Sequence, residues 1–348
     1  MRFRCGGESR VSEDHLPFAF RATRAAIESV RGEIARNRER NVKGTATVFA
    51  PGSIGNVGPG FDVLGIAVDG IGDEVTIELR DPNGKPRVEV IGRDAAKIPS
   101  DPARNASALA AAAWLRRAGS ALQPNVRLRK GLPAAGGLGG SASSAVAGAL
   151  AAALALGETP SNGDLLEVAL EVESQLSGRH LDNVAAIVFG GLTLVRSLDP
   201  PDVVRLPVDD RWWLALVTPK ISIETKTARA ILPAASERAV WVQQMANTAA
   251  LTHALGVGDD DLVRRSLDDR FAEPLRSVWI PRFAEVKRAA LEHGGLGCSI
   301  SGSGPTVFAI AASEKDARRC TDAMRNAFGE VESAIHVGRI AREGARPR

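Results

Sequence analysis

Apolar and polar residues alternate cleanly from Asp73 to Arg80, with Val75, Ile77 and Leu79 on one face. A period of two marks a half-buried strand. Shorter runs predict strands at Thr45–Ala50, Arg87–Ile91, Asn125–Arg129, Leu192–Arg196 and Trp213–Val217. Pro51 is expected to end the first of these and to open a loop over 51–60 that holds four glycines and two prolines. Helical spacing predicts helices over 103–117, 141–156 and 164–176, the first two rich in Ala and the second ended by Gly157. More helices follow near 225–232, 237–255, 259–267 and 281–293. The chain closes with a strand at 296–301, a Gly-Ser-Gly turn, a strand at 306–312, a helix at 314–328 and a strand at 331–337.

Strands and helices mix here without strict alternation, which predicts an α+β protein rather than a doubly wound sheet. The closing β-turn-β-α-β section predicts half of a ferredoxin-like fold. Asp199–Asp210, with three Pro and four Asp, is the best candidate boundary, giving domains at 44–205 and 206–341. Residues 1–43 stand apart as an N-terminal extension with nine Arg, one Lys and six acidic residues. The acidic residues argue against a transit peptide. The extension is expected to be dispensable and open to disorder. The alternative is a docking helix over 18–38, where Phe20, Ile27, Val30 and Ile34 fall at helical spacing.

Composition narrows the class. Hydrophobic residues make up 44% and charged residues 24%, as in a soluble globular protein. Tyr is absent and aromatics are 4%, so the core must rest on Ala, Val, Leu and Ile. The net charge of +3 is scattered, without the basic stripe and stacking aromatics that nucleic-acid binding requires. Cys5, Cys298 and Cys320 lack metal-ligand spacing, and an odd number favours a reducing compartment. The longest apolar run, near Ala145–Leu156, is about 12 residues, well short of the roughly 20 that span a bilayer. The expectation is a cytoplasmic protein with no membrane partner.

Candidate chemistry sits in three small-residue loops at strand ends. The segment Pro133-Ala-Ala-Gly-Gly-Leu-Gly-Gly-Ser-Ala-Ser-Ser144 joins a predicted strand to a predicted helix. Glycines let backbone N–H groups turn into one concavity, and a helix N-terminus there favours an anion. It is not a Walker A loop, having no Lys-Ser/Thr pair, and it does not fit G-x-G-x-x-G. A glycine-rich turn into a tightly packed helix would look the same. Two companions tilt the balance: Pro51-Gly-Ser-Ile-Gly-Asn-Val-Gly-Pro-Gly-Phe-Asp62, carrying Asn56 and Asp62, and Ser299-Ile-Ser-Gly-Ser-Gly-Pro305. Three such loops on a rigid scaffold can converge on one site.

The three segments, in this order, resemble the three motifs of the GHMP kinases, over about Thr45 to Ile340. The first, together with Leu64-Gly65 and Asp69-Gly-x-Gly-Asp73, and the segment His180-Leu-Asp182-Asn183-Val184-Ala185 with Phe189-Gly190-Gly191, resemble the homoserine-kinase branch. The resemblance implies a two-domain architecture, with an N-terminal domain like the second domain of ribosomal protein S5 and a ferredoxin-like C-terminal domain. It implies ATP and Mg2+ as cofactors, L-homoserine as the phosphoryl acceptor and a homodimer as a candidate assembly. Another alcohol-phosphorylating GHMP kinase, or an inactive GHMP-fold regulator, are the rival readings.

By the same resemblance, Pro133, Ala134, Ala135, Gly136, Gly137, Leu138, Gly139, Gly140, Ser141, Ala142 and Ser143 contact ATP. Glu173, His180, Asp182 and Asn183 form the catalytic set, with Glu173 and Ser141 on the metal. Asn56, Asp62, His180, Asn183, Arg229, Gly302 and Ser303 bind the acceptor, Asn56 and Asp62 at the ammonium and Arg229 at the carboxylate. Arg264 aligns only loosely as a second arginine, and a solvent-facing helix position is the better reading for it. Asp182 orients His180 or acts through its charge; it is not expected to be the base. The family commonly has a metal-reaching serine where this chain has Gly140, so that share falls to Ser141, to water or to Glu173.

Overall fold

A computed structural model describes residues 44–348; the expectations for 1–43, including the helix over 18–38, lie outside the described residues. The chain enters as a hairpin of β1 (Thr45–Gly55) and β2 (Leu64–Arg80), in register from Thr45↔Glu78 to Gly55↔Gly65. After β3 (Val88–Gly92), helix α1 (Ala106–Arg117) starts where the Asn105 side chain accepts the N–H groups of Ser107 and Ala108. Then follow β4 (Gln123–Lys130), the glycine loop, α2 (Gly140–Ala155) and α3 (Asn162–Leu176), the last opened by a Ser161/Asp164 capping box. Helix α4 (Asp182–Phe189) and strands β5 (Leu192–Leu198) and β6 (Pro201–Leu206) complete this half.

The second half runs β7 (Trp213–Pro219), α5 (Thr225–Ala230), α6 (Arg238–Val257), α7 (Asp260–Ser266), α8 (Glu273–Arg276), α9 (Phe283–Glu292), β8 (Gly297–Ile300), β9 (Val307–Ala311), α10 (Glu314–Ala327) and β10 (Ser333–Arg339). Its sheet is antiparallel in the order β10-β7-β9-β8. A helical section separates β7 from the β8–β9 hairpin, and α10 leads to β10, so the connectivity is β-α-β-β-α-β, the ferredoxin-like arrangement. The tail then returns to the first sheet, where β11 (Arg346–Pro347) pairs with β1. That sheet has the order β11-β1-β2-β4-β3, with β5 on β2 and β6 on β5.

Packing explains why small residues dominate. Helix α2 is buried on nearly every side, as a helix apolar all round must be. It approaches α1 so closely that a Cβ on Gly148 would lie 2.3 Å from the Ser107 carbonyl oxygen. A second cluster joins Ile54, Leu64, Ile66 and Val68 of the first sheet to Leu214, Phe308 and Ile310 of the second and to Trp212 just before it. The two halves therefore share a core. Among the described residues, no helix is long and apolar enough to cross a membrane.

Several expectations need correction. Pro51 does not end β1: the strand runs on to Gly55 and absorbs the missing N–H at a register shift between Pro51 and Gly52. Half of the expected 51–60 loop is therefore strand. Strand β2 begins at Leu64, nine residues before the alternating stretch from Asp73, because its Gly65, Gly70 and Gly72 interrupt the pattern. The Asp199–Asp210 segment is not a bare linker: it contains β6, which pairs with β5 in the first sheet, and the second sheet begins after it with β7.

Candidate active site

One cleft, about 260 Å3 in volume, collects the three loops. Its floor is the glycine loop between β4 and α2. Gly139 is the N-cap of α2, with φ 64° and no side-chain cap, so the first N–H groups of the helix have neither an intrahelical nor a capping partner. A Cβ on Gly139 would lie 2.2 Å from Ser53 Oγ, and on Gly137 (φ 79°) 2.5 Å from the Ser301 carbonyl oxygen. Only glycine fits either place. The third motif holds the loop from behind. Ser301 Oγ donates to the Gly137 carbonyl at 2.6 Å, and Thr306 donates to the Gly136 carbonyl through its N–H at 3.2 Å and its hydroxyl at 2.5 Å.

The opposite wall carries charge. Asp62, at φ 58° just after the tight turn of the first motif, is gripped in a two-point fork by the Arg229 guanidinium, Nη1 lying 2.9 Å from Oδ2. Asn56 ties that turn to the third motif: its Oδ1 accepts the Asp62 N–H at 3.1 Å and its Nδ2 donates to the Gly302 carbonyl at 3.0 Å. Only the second lone pair of that oxygen is left for a ligand. Arg276 donates to the same Gly302 carbonyl at 2.9 Å, and Arg229 and Arg276 both lie near the ring of Phe61, at 5.8 and 5.5 Å. Burial, with Arg229 nearby, pushes the Arg276 pKa down; burial also opposes charge on Arg229, but Asp62 outweighs it.

Between these walls sits a buried network. Ser177 Oγ donates to Glu173 Oε2 at 2.5 Å, and His180 Nε2 lies 3.9 Å from that oxygen. His180 Nδ1 lies 3.4 Å from Asp182 Oδ1, while Asp182 Oδ2 accepts the Asn56 N–H at 3.0 Å. Asp182 reaches the cleft because β2 has Gly65, where a Cβ would lie 2.0 Å from the Asp182 carbonyl oxygen. Burial opposes charge on both His180 and Asp182, yet their attraction prevails: the His180 pKa is raised and that of Asp182 lowered. A carboxylate with a lowered pKa is a weak base, in keeping with the expectation for Asp182. Asn183 accepts the Ser53 hydroxyl at 2.9 Å.

Four side-chain atoms buried in this cleft make no hydrogen bond: Glu173 Oε1, Ser141 Oγ, Arg229 Nε and His180 Nδ1, the last facing the Asp182 carboxylate at 3.4 Å. Buried polar groups are seldom left so, and a cluster of them marks ligand positions. Two of the four are the oxygens expected on the metal. Among the described residues no group of three or more His, Cys, Asp or Glu is placed to hold a metal. A carboxylate and a hydroxyl instead fit magnesium, which takes one or two protein oxygens and completes its shell with phosphates and water.

Of the residues singled out from sequence, Leu138 and Ser143 do not line the cleft. Leu138 is in the core, and Ser143 donates its hydroxyl to the Ala50 carbonyl at 2.9 Å, tying α2 to β1. Arg264 is solvent-facing, paired with Asp261 at 2.6 Å. Beside Arg229 the cleft is lined by two more arginines, Arg104 and Arg276; no motif pointed to Arg276, because it lies on a four-residue helix outside the three loops. Also missed were the apolar end formed by Ile98, Pro99, Ala106 and Leu128, and Lys130 beneath the loop. The alternation of β4 alone held a signal for Lys130, since it falls on the buried face.

Comparison with known proteins agrees with this geometry. Residues 106–191 match the GHMP kinases N terminal domain, and residues 250–330 match the GHMP kinases C terminal family. The chain is 37% identical to a homoserine kinase of Chlorobium phaeobacteroides (strain BS1), over 87% of this chain and 99% of that one. It is 38% identical to a homoserine kinase of Arabidopsis thaliana, over 86% of this chain and 83% of that one. A crystal structure of homoserine kinase from Cytophaga hutchinsonii superimposes with a TM-score of 0.81 at 39% identity, covering 88% of this chain and 98% of the other. The chain thus belongs to the GHMP kinases and, within them, to the homoserine kinase family.

Proposed function

We propose that this chain transfers the γ-phosphate of ATP to the side-chain hydroxyl of L-homoserine, giving O-phospho-L-homoserine. The observation that carries this reading is an acid–base pair, Asp62 with Arg229, facing an uncapped helix N-terminus across one cleft. Homoserine is a zwitterion with a terminal alcohol. Its ammonium suits Asp62 and the free lone pair of Asn56 Oδ1, and its carboxylate suits the planar forks of Arg229 and Arg276. Mevalonate has a carboxylate but no ammonium and would leave Asp62 without a partner.

Held at those ends, the acceptor presents its hydroxyl toward His180 and Asn183, on the side of the phosphates. The adenine suits the apolar end of the cleft at Ile98, Pro99, Ala106 and Leu128. The phosphates suit the amides of Gly137 to Ala142 and the dipole of α2. Glu173 and Ser141 would hold magnesium, which when bound neutralises charge on the β- and γ-phosphates. Phosphoryl transfer then rests mainly on in-line positioning and on donors already aimed at the developing charge. His180, whose pKa is raised by the Asp182 carboxylate against the opposing effect of burial, lies beside the acceptor.

The deciding experiment is ADP release from ATP and magnesium with homoserine, mevalonate, shikimate or galactose as acceptor. Homoserine alone is expected to support rapid turnover. Turnover of mevalonate without turnover of homoserine would reject the reading, and no transfer to any alcohol would favour an inactive regulator.

A further inference from the structure

Beneath the glycine loop lies a charged pair that the reaction itself does not use. Asp73 of β2 is fully buried and does not line the cleft; Lys130, the last residue of β4, is 4% exposed and does. Their side chains form a buried ion pair. Asp73 Oδ1 accepts the N–H groups of Gly131 and Leu132, each at 3.2 Å, where the loop begins. Asp73 Oδ2 accepts the Ser144 hydroxyl at 2.7 Å, and Lys130 Nζ donates to the Gly140 carbonyl at 3.1 Å and to Ser144 Oγ at 3.3 Å, where the loop becomes α2. The ammonium thus spends its three N–H bonds on three acceptors, and the carboxylate takes four donors.

We infer that Asp73 and Lys130 are positioning residues that clamp both ends of the phosphate loop and so set its curvature for the nucleotide. The inference rests on the reading that this loop carries the phosphates. A buried ion pair is weak evidence for stability, because desolvation offsets most of its attraction. This pair nonetheless satisfies every donor and acceptor it has, and all of its other partners are the two ends of one loop. Fixing both ends leaves the intervening amides little freedom, the condition for donors that need no rearrangement when phosphate charge arrives. Gly140 belongs to the same design: a Cβ there would sit 3.3 Å from Lys130 Nζ, so the ammonium reaches the helix start unobstructed.

Asp73→Asn tests the clamp without touching the cleft. The amide retains an oxygen for the Gly131 and Leu132 N–H groups, but its NH2 faces the Lys130 ammonium and breaks the lower half. Calorimetric ADP affinity should weaken roughly tenfold or more, since misplacing positioned groups by about 1 Å can cause losses of that order. The KM for homoserine should stay within about twofold, since its contacts lie on the opposite wall. A simple electrostatic role makes the opposite forecast, because removing a negative charge below the phosphates should tighten ADP. Unchanged or tighter ADP binding in folded Asp73→Asn overturns the clamp. The double variant Asp73→Leu/Lys130→Met replaces the pair by apolar side chains, a change that buried pairs often tolerate. Near-normal Tm with weakened ADP binding in this variant supports the clamp, whereas near-normal Tm with normal ADP affinity rejects it. ADP binding needs no acceptor alcohol, so these results stand even if homoserine proves not to be the substrate. Absence of ADP binding by the unaltered chain would sink the phosphate-loop reading and the clamp with it.

Discussion

The two walls of the cleft solve recognition differently. On the proposed phosphate side, backbone amides at a helix N-terminus face the cleft, and the buried Asp73 and Lys130 beneath the loop are paired with each other. On the acceptor side, the charges themselves face the cleft, and Asp62 and Arg229 are each about a third exposed, at 32% and 30%. The first wall is built before any ligand arrives. The second is paired with itself, and under the proposed reading it re-pairs around a zwitterion, trading one Asp–Arg fork for ammonium and carboxylate contacts. Under that reading, a polyanion common to many enzymes is met by backbone, and the acceptor that distinguishes this one is met by side chains.

The comparison can be broken at its centre, where both walls meet the reacting oxygen. Glu173→Gln keeps the shape but halves the carboxylate, and it should lower kcat about 100-fold, the scale of losing one aimed electrostatic group. Wild-type rates at low magnesium would remove Glu173 from the metal. Arg229→Ala acts on the acceptor wall alone. It should raise the KM for homoserine roughly 10- to 100-fold, the measure of one charge-assisted fork, with ADP affinity unchanged. Arg229→Lys should recover only part of that, because an ammonium cannot make two parallel bonds. An unaltered KM would place the carboxylate elsewhere.

The smallest effect is a pH dependence. Attraction to Asp182 raises the His180 pKa above its ordinary 6.5 despite burial, so this pairing is fully present below pH 6.5 and is lost as pH rises through the raised value. The fall in Tm on going from pH 6 to pH 9 should therefore be shallower in His180→Gln. An identical slope would show that the His180–Asp182 attraction does not contribute. For Asp182 the sign is reversed: its lowered pKa gives stability above the ordinary carboxylate value of 3.8 that is lost as pH falls further.

Legibility followed the same division. The glycine loop was visible because it packs so closely on the other two motifs that Gly137 and Gly139 leave no room for a Cβ. The ferredoxin-like half was visible because its strands have ordinary periods. Strand β1 past Pro51 and the early part of β2 were hidden, since close approach to α4 and the loop replaces patterned side chains with Gly, Pro and Ser. Arg276 carries no local signature, and Lys130 and Asp73 show only as a charge on the buried face of β4 and the end of the Asp69-Gly-x-Gly-Asp73 segment; what they do depends on partners farther along the chain, Ala228 and Gly302 for Arg276 and each other for Lys130 and Asp73.

The sequence alone determined the α+β class and the three loops, because glycine requirements and periodicity are local properties, and its resemblance to the GHMP kinases pointed to Asn56, Asp62, Glu173, His180, Asp182, Asn183 and Arg229, which line the cleft. Only the tertiary structure decided that Asp62 and Arg229 hold each other, that Ser143 turns to β1, and that Gly140 sits over a buried ammonium. Those facts depend on pairing and desolvation between distant segments, and the order of residues along the chain does not encode distance.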